Sequence, residues 1–125
     1  SEYKDLTNDI ILSLKKLTNK ALNKNISKEN IIWDPGLGFS KNTKQNISIL
    51  KNIGKFKKEG FPILIGASRK RFIGEILNIN KPKDRDIGSL AISCFCSQSS
   101  IDMVRVHNVG LNRQILKVSD AIYRN

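Results

Sequence analysis

Residues 61–68 read FPILIGAS and run without a break into residues 69–77, which read RKRFIGEIL. The first stretch is a short, nearly continuous apolar run, which is typical of a β-strand buried on both faces. The second begins with three basic residues and then spaces its apolar residues as one side of a short helix. Parallel sheets with covering helices are built from such strand–helix units. This stretch therefore predicts an α/β fold.

The same alternation continues on both sides of this unit. We predict strands at 31–34, 61–68 and 103–107, a polar loop at 78–85, and helices at 4–23, 43–53, 71–77, 86–99 and 111–122. Gly54 is placed to cap the second helix. The apolar stripes expected on the last two helices are Leu90, Ala91, Cys94 and Phe95, and Leu111, Ile115, Val118 and Ile122. The sequence therefore predicts one domain, residues 1–125, with three parallel strands and covering helices.

The composition restricts the classes of function. The chain has 125 residues, of which 39% are hydrophobic, so a packed core is expected and a disordered chain is not. No apolar run approaches the roughly 18 residues that cross a bilayer. The net charge of +11 favours anionic partners, although lysines spread over solvated helix faces would give the same total. Two alternatives stay open on charge alone: a basic nucleic-acid-binding module and a small phosphate-binding α/β domain of the flavodoxin type.

The cysteines and the single histidine limit the kinds of disulfide and metal site that this chain can form. Cys94 and Cys96 point about 200° apart on a helix, so we expect free core thiols in a reducing compartment rather than a disulfide or a metal site. His107 is the only histidine, which excludes a metal site built on a histidine pair. The chain begins at Ser1 with neither an initiator Met nor a secretory signal, and we expect a truncated, cytoplasmic product.

Polar and charged residues follow all three predicted strands: residues 34–39, 68–71 and 105–107. The carboxyl ends of parallel strands lie on one rim, so these residues are expected to form one site. Arg105 and His107 are two apart and share a strand face, where they suit an anionic leaving group.

The other two strand ends favour a flat heterocycle and an anion. Asp34 is expected to be buried and to bind ring N–H and amino groups, or else to cap the Pro-Gly turn that follows. Residues 68–71 begin a helix and are expected to attract an anion. Gly36 and Gly38 resemble a dinucleotide fingerprint only in part, because Lys41 holds the third glycine position.

Four motifs carry a family resemblance: DPGLGF at 34–39, GASRKRFIG at 66–74, DRDIGS at 84–89 and RVHNV at 105–109. Together, in this order and spacing, they resemble the dihydropteroate synthases. The resemblance implies a (β/α)8 barrel, of which this chain would be the C-terminal portion with strands six to eight. A whole barrel needs about 250 residues, so the front part is expected to be missing. Fusion to a pterin pyrophosphokinase is an open alternative, and with it a mitochondrial location.

The family joins 6-hydroxymethyl-7,8-dihydropterin pyrophosphate to para-aminobenzoate in folate biosynthesis, with Mg²⁺, and is a sulfonamide target. The resemblance implies that Asp34, Lys70 and Arg105 bind the pterin, and that Arg105 and His107 bind the pyrophosphate. It places Gly38, Phe39, Ser68 and Arg71 around the aminobenzoate. Lys70, Arg105 and His107 would be catalytic, and the main Mg²⁺ ligand would lie in the missing part. A homodimer is expected of the intact enzyme, and we expect this chain alone to be inactive.

Overall fold

The computed structural model describes residues 2–124, with side chains from residue 5 to residue 124. Its helices are α1 (Glu2–Asn23), α2 (Thr43–Lys51), α3 (Ile53–Lys57), α4 (Arg71–Leu77), α5 (Asp86–Gln98) and α6 (Val109–Tyr123). Its strands are β1 (Leu64–Ile65) and β2 (Met103–Val104), and short 3-10 turns form at Lys28–Asn30 and Pro82–Arg85. The predicted order of strands and helices is therefore confirmed, except that residues 31–34 form no regular strand and the second predicted helix is divided into α2 and α3. None of the helices in the described range is long and apolar enough to cross a membrane.

The three predicted strands are parallel, but their regular pairing is shorter than the sequence indicates. β1 pairs with β2 so that Leu64 lies opposite Met103. The first predicted strand, residues 31–34, contributes only an isolated parallel bridge between Trp33 and Ile63. The strand segment that contains β1 therefore lies between residues 31–34 and β2. Pro62 has no N–H to donate, and the proline and glycine after Asp34 end the first segment, which explains the short ladder.

One face of this small sheet packs on the helices. Trp33 is 2% exposed, stacks on Phe61 with ring centroids 5.2 Å apart, and donates from Nε1 to Thr18 Oγ1 at 2.9 Å. This hydrogen bond attaches α1 to the first segment. The other fully buried apolar side chains lie in the same core: Leu37, Ile49, Leu50, Ile53, Phe56, Ile63, Ile65, Ala67, Phe72, Ile73, Cys96 and Ile101.

The opposite face of the sheet is open. Ile32 is 47% exposed and Met103 is 43% exposed, whereas Ile63 and Ile65 on the helix side are buried. Side chains alternate between the two faces along a strand, so Ile32, Met103 and the polar residues in line with them share the open face. Within the described residues, the helices therefore cover one face of the sheet and leave the other open.

The break between α2 and α3 differs from the prediction. α2 ends at Lys51, and Asn52 terminates it by donating its backbone N–H to Ser48 O at 3.0 Å and its side-chain amide to the same oxygen at 2.8 Å. Gly54 lies inside α3 and does not cap α2. Because Asn52 ends the helix with donors from both its backbone and its side chain, the turn does not need the glycine.

α5 and α6 pack on each other through small and polar residues. Ser93 Oγ donates to Asn112 Oδ1 at 2.6 Å, and Ser97 Oγ donates to Asp120 Oδ1. The fully buried residues of α5 are Ser89, Ser93, Cys96 and Ser97. Of the predicted stripe, Phe95 packs against the core and Leu90 and Cys94 are half-buried, whereas Ala91 is exposed. On α6, Leu111, Val118 and Ile122 are exposed. Both cysteines are free, as predicted, and burial raises the pKa of the Cys96 thiol to about 12.

Candidate active site

The three strand ends meet at one edge of the sheet. β1 and β2 keep their register beyond the regular ladder, since the Arg105 N–H donates to Ile65 O at 3.0 Å. Continuing that register sets Gly66 beside Arg105 and Ser68 beside His107. The structure therefore brings the second and third predicted strand ends into direct contact.

Gly66 leaves the space that the Arg105 side chain occupies. A Cβ atom at Gly66 would lie 2.5 Å from Arg105 Nη2 and 3.0 Å from Arg105 Cζ. Within the described part of the chain, no carboxylate lies within 4 Å of the Arg105 guanidinium. The Arg105 side chain therefore lies over Gly66 on the sheet, and no carboxylate among the described residues neutralises its charge, so that charge is available to a ligand.

Ser68 and His107 are linked by two contacts. Ser68 Oγ lies 2.8 Å from His107 Nδ1, and the His107 backbone N–H donates to the same oxygen at 3.1 Å. The histidine is exposed on the open face of the sheet, and the serine is half-buried beside it. The imidazole is therefore held by one of its two ring nitrogens.

Lys70 connects the first and second strand ends. Its Nζ donates to Leu37 O and lies 5.1 Å from the centre of the Phe39 ring. A Cβ atom at Gly38 would lie 3.0 Å from Lys70 Cδ, and Gly38 has a φ of +89°, so a side chain there would be both crowded and strained. Burial, followed by the nearby Arg105 charge, lowers the pKa of Lys70, and Asp34 opposes that shift only in part.

Asp34 lies on this edge but is exposed, which contradicts the expectation of a buried carboxylate. Its Oδ1 accepts the Gly36 N–H at 2.8 Å, which is the turn-capping alternative. Exposure follows from the open face of the sheet, because no described residue covers it. The carboxylate remains close enough to raise the pKa values of Lys41 and Lys70 against the effect of their burial.

Sequence reasoning missed two residues that shape the loop after the first strand. Lys41 folds back and donates from Nζ to Gly36 O at 2.8 Å and to Phe39 O at 3.0 Å. Asn46 is 1% exposed and accepts the Gly38 N–H on Oδ1 at 2.7 Å. Asn46 could have been found from the sequence, because it is a polar residue on the apolar side of α2. A buried amide must form hydrogen bonds, which indicates a structural role.

The turn at Arg69 is held by the start of α5. Arg69 has a φ of +60°, which is unfavourable for a residue with a side chain. Its guanidinium donates to both Asp86 oxygens, at 2.8 and 3.2 Å, and its backbone N–H donates to Ser89 Oγ at 2.9 Å. Arg85 Nη1 donates to Arg69 O at 2.9 Å. The 84–89 motif therefore fixes the turn that carries Ser68 and Lys70.

Two cavities open on either side of Lys70. The first, of about 650 Å³, is lined by residues 37–43, Asn46, residues 70–72 and Glu75. The second, of about 900 Å³, is lined by residues 68–70, residues 81–84, Arg105 and His107. Gly38, Phe39 and Arg71 thus line the first cavity, whereas Ser68 lines the second.

Arg71 is already paired at the mouth of the first cavity. Its Nε donates to Glu75 Oε1 at 3.1 Å, and the arginine side chain is 88% exposed. Thr43 Oγ1 donates to the other oxygen of Glu75, and this hydrogen bond, more than the Arg71 charge, lowers the pKa of that carboxyl. Any anion that enters this cavity meets Arg71 together with its carboxylate partner.

The described residues do not form a metal site. No group of three or more His, Cys, Asp and Glu side chains in residues 5–124 is arranged to hold a metal ion. The edge of the sheet is instead dominated by Lys70 and Arg105, with Asp34 as the opposing charge. The donor set of residues 5–124 therefore does not fit a divalent cation such as Mg²⁺.

The chain is similar to dihydropteroate synthases in sequence and in fold. The dihydropteroate synthase of Synechocystis is 40% identical over 124 residues, which are 99% of this chain and 43% of that protein. The dihydropteroate synthase of Clostridium difficile, solved in the presence of pteroic acid, superimposes with a TM-score of 0.92 at 38% identity. It is matched over 96% of this chain and 45% of its own.

A third relative is the dihydropteroate synthase of Anaplasma phagocytophilum with bound 6-hydroxymethylpterin-monophosphate. It has a TM-score of 0.91 and 35% identity, and covers 98% of this chain and 47% of its own. These structures confirm the predicted fold, part of a (β/α)8 barrel. This chain spans less than half the length of each of these three relatives. The family model described as "Pterin binding enzyme" matches residues 1–107, and the chain therefore belongs to the pterin-binding enzyme family.

Proposed function

We propose that this chain forms the C-terminal wall of the active site in a complete dihydropteroate synthase barrel. One observation carries the proposal: Lys70, Arg105 and His107 converge on one cavity edge, with Asp34 close enough to act on the charge of Lys70. One acid facing several bases suits a reaction in which a cationic ring separates from an anionic leaving group. The relatives named above, all dihydropteroate synthases, support this choice.

The second cavity is proposed to hold the pyrophosphate of 6-hydroxymethyl-7,8-dihydropterin pyrophosphate. Arg105 has no carboxylate within 4 Å among the described residues, so its charge is not already used. His107 keeps one ring nitrogen free, since Ser68 holds the other. Charge-assisted hydrogen bonds from these groups would strengthen as negative charge develops on the departing oxygen.

The pterin ring is proposed to lie between Asp34 and Lys70. Gly36 occupies one carboxylate oxygen of Asp34, and the remaining acceptor capacity can receive ring N–H or amino groups. Arg105, laid across Gly66, offers a flat guanidinium face on which a heterocycle can stack.

The first cavity is proposed to receive para-aminobenzoate, and with it the sulfonamides. Gly38 and Phe39 form one wall, and Arg71 is available to the carboxylate of the substrate if Glu75 releases it. Lys70 lines both cavities and would orient the two substrates relative to each other.

The reaction requires no protein nucleophile. The bond between the pterin methylene carbon and the pyrophosphate oxygen breaks, and both electrons leave with the oxygen. The amine nitrogen of aminobenzoate then forms the new bond to that carbon and releases one proton to solvent. Asp34 would stabilise the cationic ring, and Arg105 and His107 would stabilise the leaving group. Because the described residues do not fit Mg²⁺, no step is assigned to it, and its main ligand is proposed to lie outside this chain.

For the complete protein we propose a cytoplasmic location and small-molecule substrates, with neither nucleic acid nor membrane as a partner. Exposed Leu111, Val118 and Ile122 on α6 leave an apolar surface that a second copy could cover, which is consistent with a homodimer. Fusion to a pterin pyrophosphokinase is a separate proposal, and the flanking coding sequence tests it.

The test is dihydropteroate formation by this chain joined to the preceding β/α units of its barrel. Lys70→Ala and Arg105→Ala should each lower kcat/KM about 10²- to 10³-fold, the usual effect of removing one group that stabilises transition-state charge. Lys44→Ala and Arg113→Ala remove the same charges at exposed helix positions and should leave the rate unchanged. Near-normal rates for both site variants would overturn the assignment.

A further inference from the structure

We propose that Ser68 is a positioning residue that acts through His107, holding the neutral imidazole with its proton on Nε2 and directed at the leaving group. This inference rests on the proposed function and adds a residue to its pyrophosphate side. It also moves Ser68 away from the aminobenzoate, where the family resemblance placed it.

The first support is the way the two residues meet. Ser68 Oγ contacts both the backbone N–H of His107, at 3.1 Å, and Nδ1 of the same residue, at 2.8 Å. One oxygen that contacts the backbone and the ring of a single residue restricts both side-chain torsions of that residue. The continued register of β1 and β2 sets the pair side by side, so strand pairing maintains the contact.

The second support is a count of protons. Ser68 Oγ accepts the His107 backbone N–H and carries one proton of its own. In the described part of the chain the hydroxyl has no partner other than His107. Donation to Nδ1 satisfies the hydroxyl and places the proton of a neutral imidazole on Nε2. The opposite tautomer would leave the hydroxyl proton with no acceptor among the described residues.

The third support is the surroundings of Nε2. His107 is exposed, and its ring has no other hydrogen-bond partner among the described residues. It lines the second cavity with Arg105 and Lys70. An N–H donor beside two cations can complete the coordination of a phosphate oxygen, whereas a bare ring nitrogen would repel that oxygen.

The surroundings of Ser68 also decide which substrate should respond to its loss. Ser68 lines the second cavity and is absent from the walls of the first, to which Gly38, Phe39 and Arg71 belong. Removing its hydroxyl should therefore weaken the binding of the pterin pyrophosphate and leave the binding of aminobenzoate unchanged.

The kinetic experiment uses the complete barrel, three single serine variants, and His107→Ala with and without Ser68→Ala. Ser68→Ala should raise KM for the pterin pyrophosphate about threefold to tenfold, the value of one hydrogen bond, and leave KM for aminobenzoate within about twofold. Ser68→Thr keeps the hydroxyl and should restore the wild-type value. Ser13→Ala removes an exposed hydroxyl on α1, outside both cavities, and serves as the matched control that should leave both KM values unchanged. In a His107→Ala background, Ser68→Ala should add no further loss.

A rise in KM for aminobenzoate, or an undiminished effect of Ser68→Ala without His107, would overturn the proposal.

A second measurement does not depend on turnover: ¹⁵N NMR of the histidine ring in the ligand-free complete barrel. The wild type should show protonated Nε2 and unprotonated Nδ1 in the neutral form, and Ser68→Ala should mix the two tautomers. Predominant Nδ1–H in the wild type would refute the inference. Absence of dihydropteroate formation with Nε2–H intact would instead refute the proposed function alone.

Discussion

Gly66→Ala tests whether the position of Arg105 matters to the site. A methyl group at Gly66 would lie 2.5 Å from Nη2 and 3.0 Å from Cζ, against the 3.5–4.0 Å of an ordinary contact, so the guanidinium must move by about 1 Å. A charge-assisted hydrogen bond is worth about 1.5–3 kcal/mol, which corresponds to roughly 10- to 100-fold. We expect kcat/KM for the pterin pyrophosphate to fall by about that factor.

The fold should tolerate this change. Only the end of a flexible side chain on an open face obstructs the methyl group, and Gly66 does not have a positive φ. Steady-state kinetics of the complete barrel, with urea unfolding alongside, separates the two effects. Gly54→Ala is the control, because no atom lies within 4 Å of its Cβ position, and it should gain about 0.5–1 kcal/mol in stability at an unchanged rate. A folded Gly66→Ala protein with kcat/KM within twofold of wild type would refute the reasoning.

Three further predictions concern the supports of the site. Thr18→Val should lower the free energy of unfolding by about 1–3 kcal/mol in urea titrations, because it leaves the buried Trp33 N–H unpaired; a change below about 0.3 kcal/mol would contradict this. Asp86→Asn should lower Tm at neutral pH. The Arg69 hydrogen bond lowers the folded-state pKa of Asp86, so this stabilisation is present above the unfolded-state pKa of about 3.9 and is lost as pH falls through the folded-state value. A Tm difference that persists at pH 2 would count against it. Asn46→Leu should raise KM for aminobenzoate about tenfold, because it removes an acceptor from the loop of the first cavity; equal KM values would exclude that role.

The alternation of strands and helices could be predicted because apolar periodicity and turn residues are local signals. The lengths of the strands could not, because a ladder depends on neighbours. Residues 31–34 have the composition of a strand, yet only Trp33 finds a partner. Likewise, the position of Asp34 at the end of an apolar segment predicts a buried, ligand-binding carboxylate. Whether it is buried depends on what covers the open face of the sheet.

The helix faces were harder to predict for the same reason. On α5 the buried residues are small, and Ser93 and Ser97 are satisfied by Asn112 and Asp120 across the interface. Apolarity alone does not reveal that two helices approach through paired polar groups. On α6 the apolar stripe is real but uncovered in the described residues. Periodicity therefore identifies an apolar stripe without identifying its partner.

For the candidate site, the main residues could be predicted from the sequence, but the contacts that support them could not. Lys70, Arg105 and His107 could be brought together from sequence, because the carboxyl ends of parallel strands share an edge. Their supports could not, because Arg69 and Asp86 meet only after the chain has passed through α4. The charge of Arg69 was visible in the sequence, but its pairing in a left-handed turn was not.

Complementation tests the central claim most directly: this chain carries one wall of a site that is completed elsewhere. The measurement is the rate of dihydropteroate formation by the purified 125-residue chain, alone and after co-expression with the remainder of its barrel. We expect no turnover by the chain alone, and turnover in the complex that is lost with Lys70→Ala. Full turnover by the chain alone, or a folded complex in which Lys70→Ala retains the wild-type rate, would contradict the account.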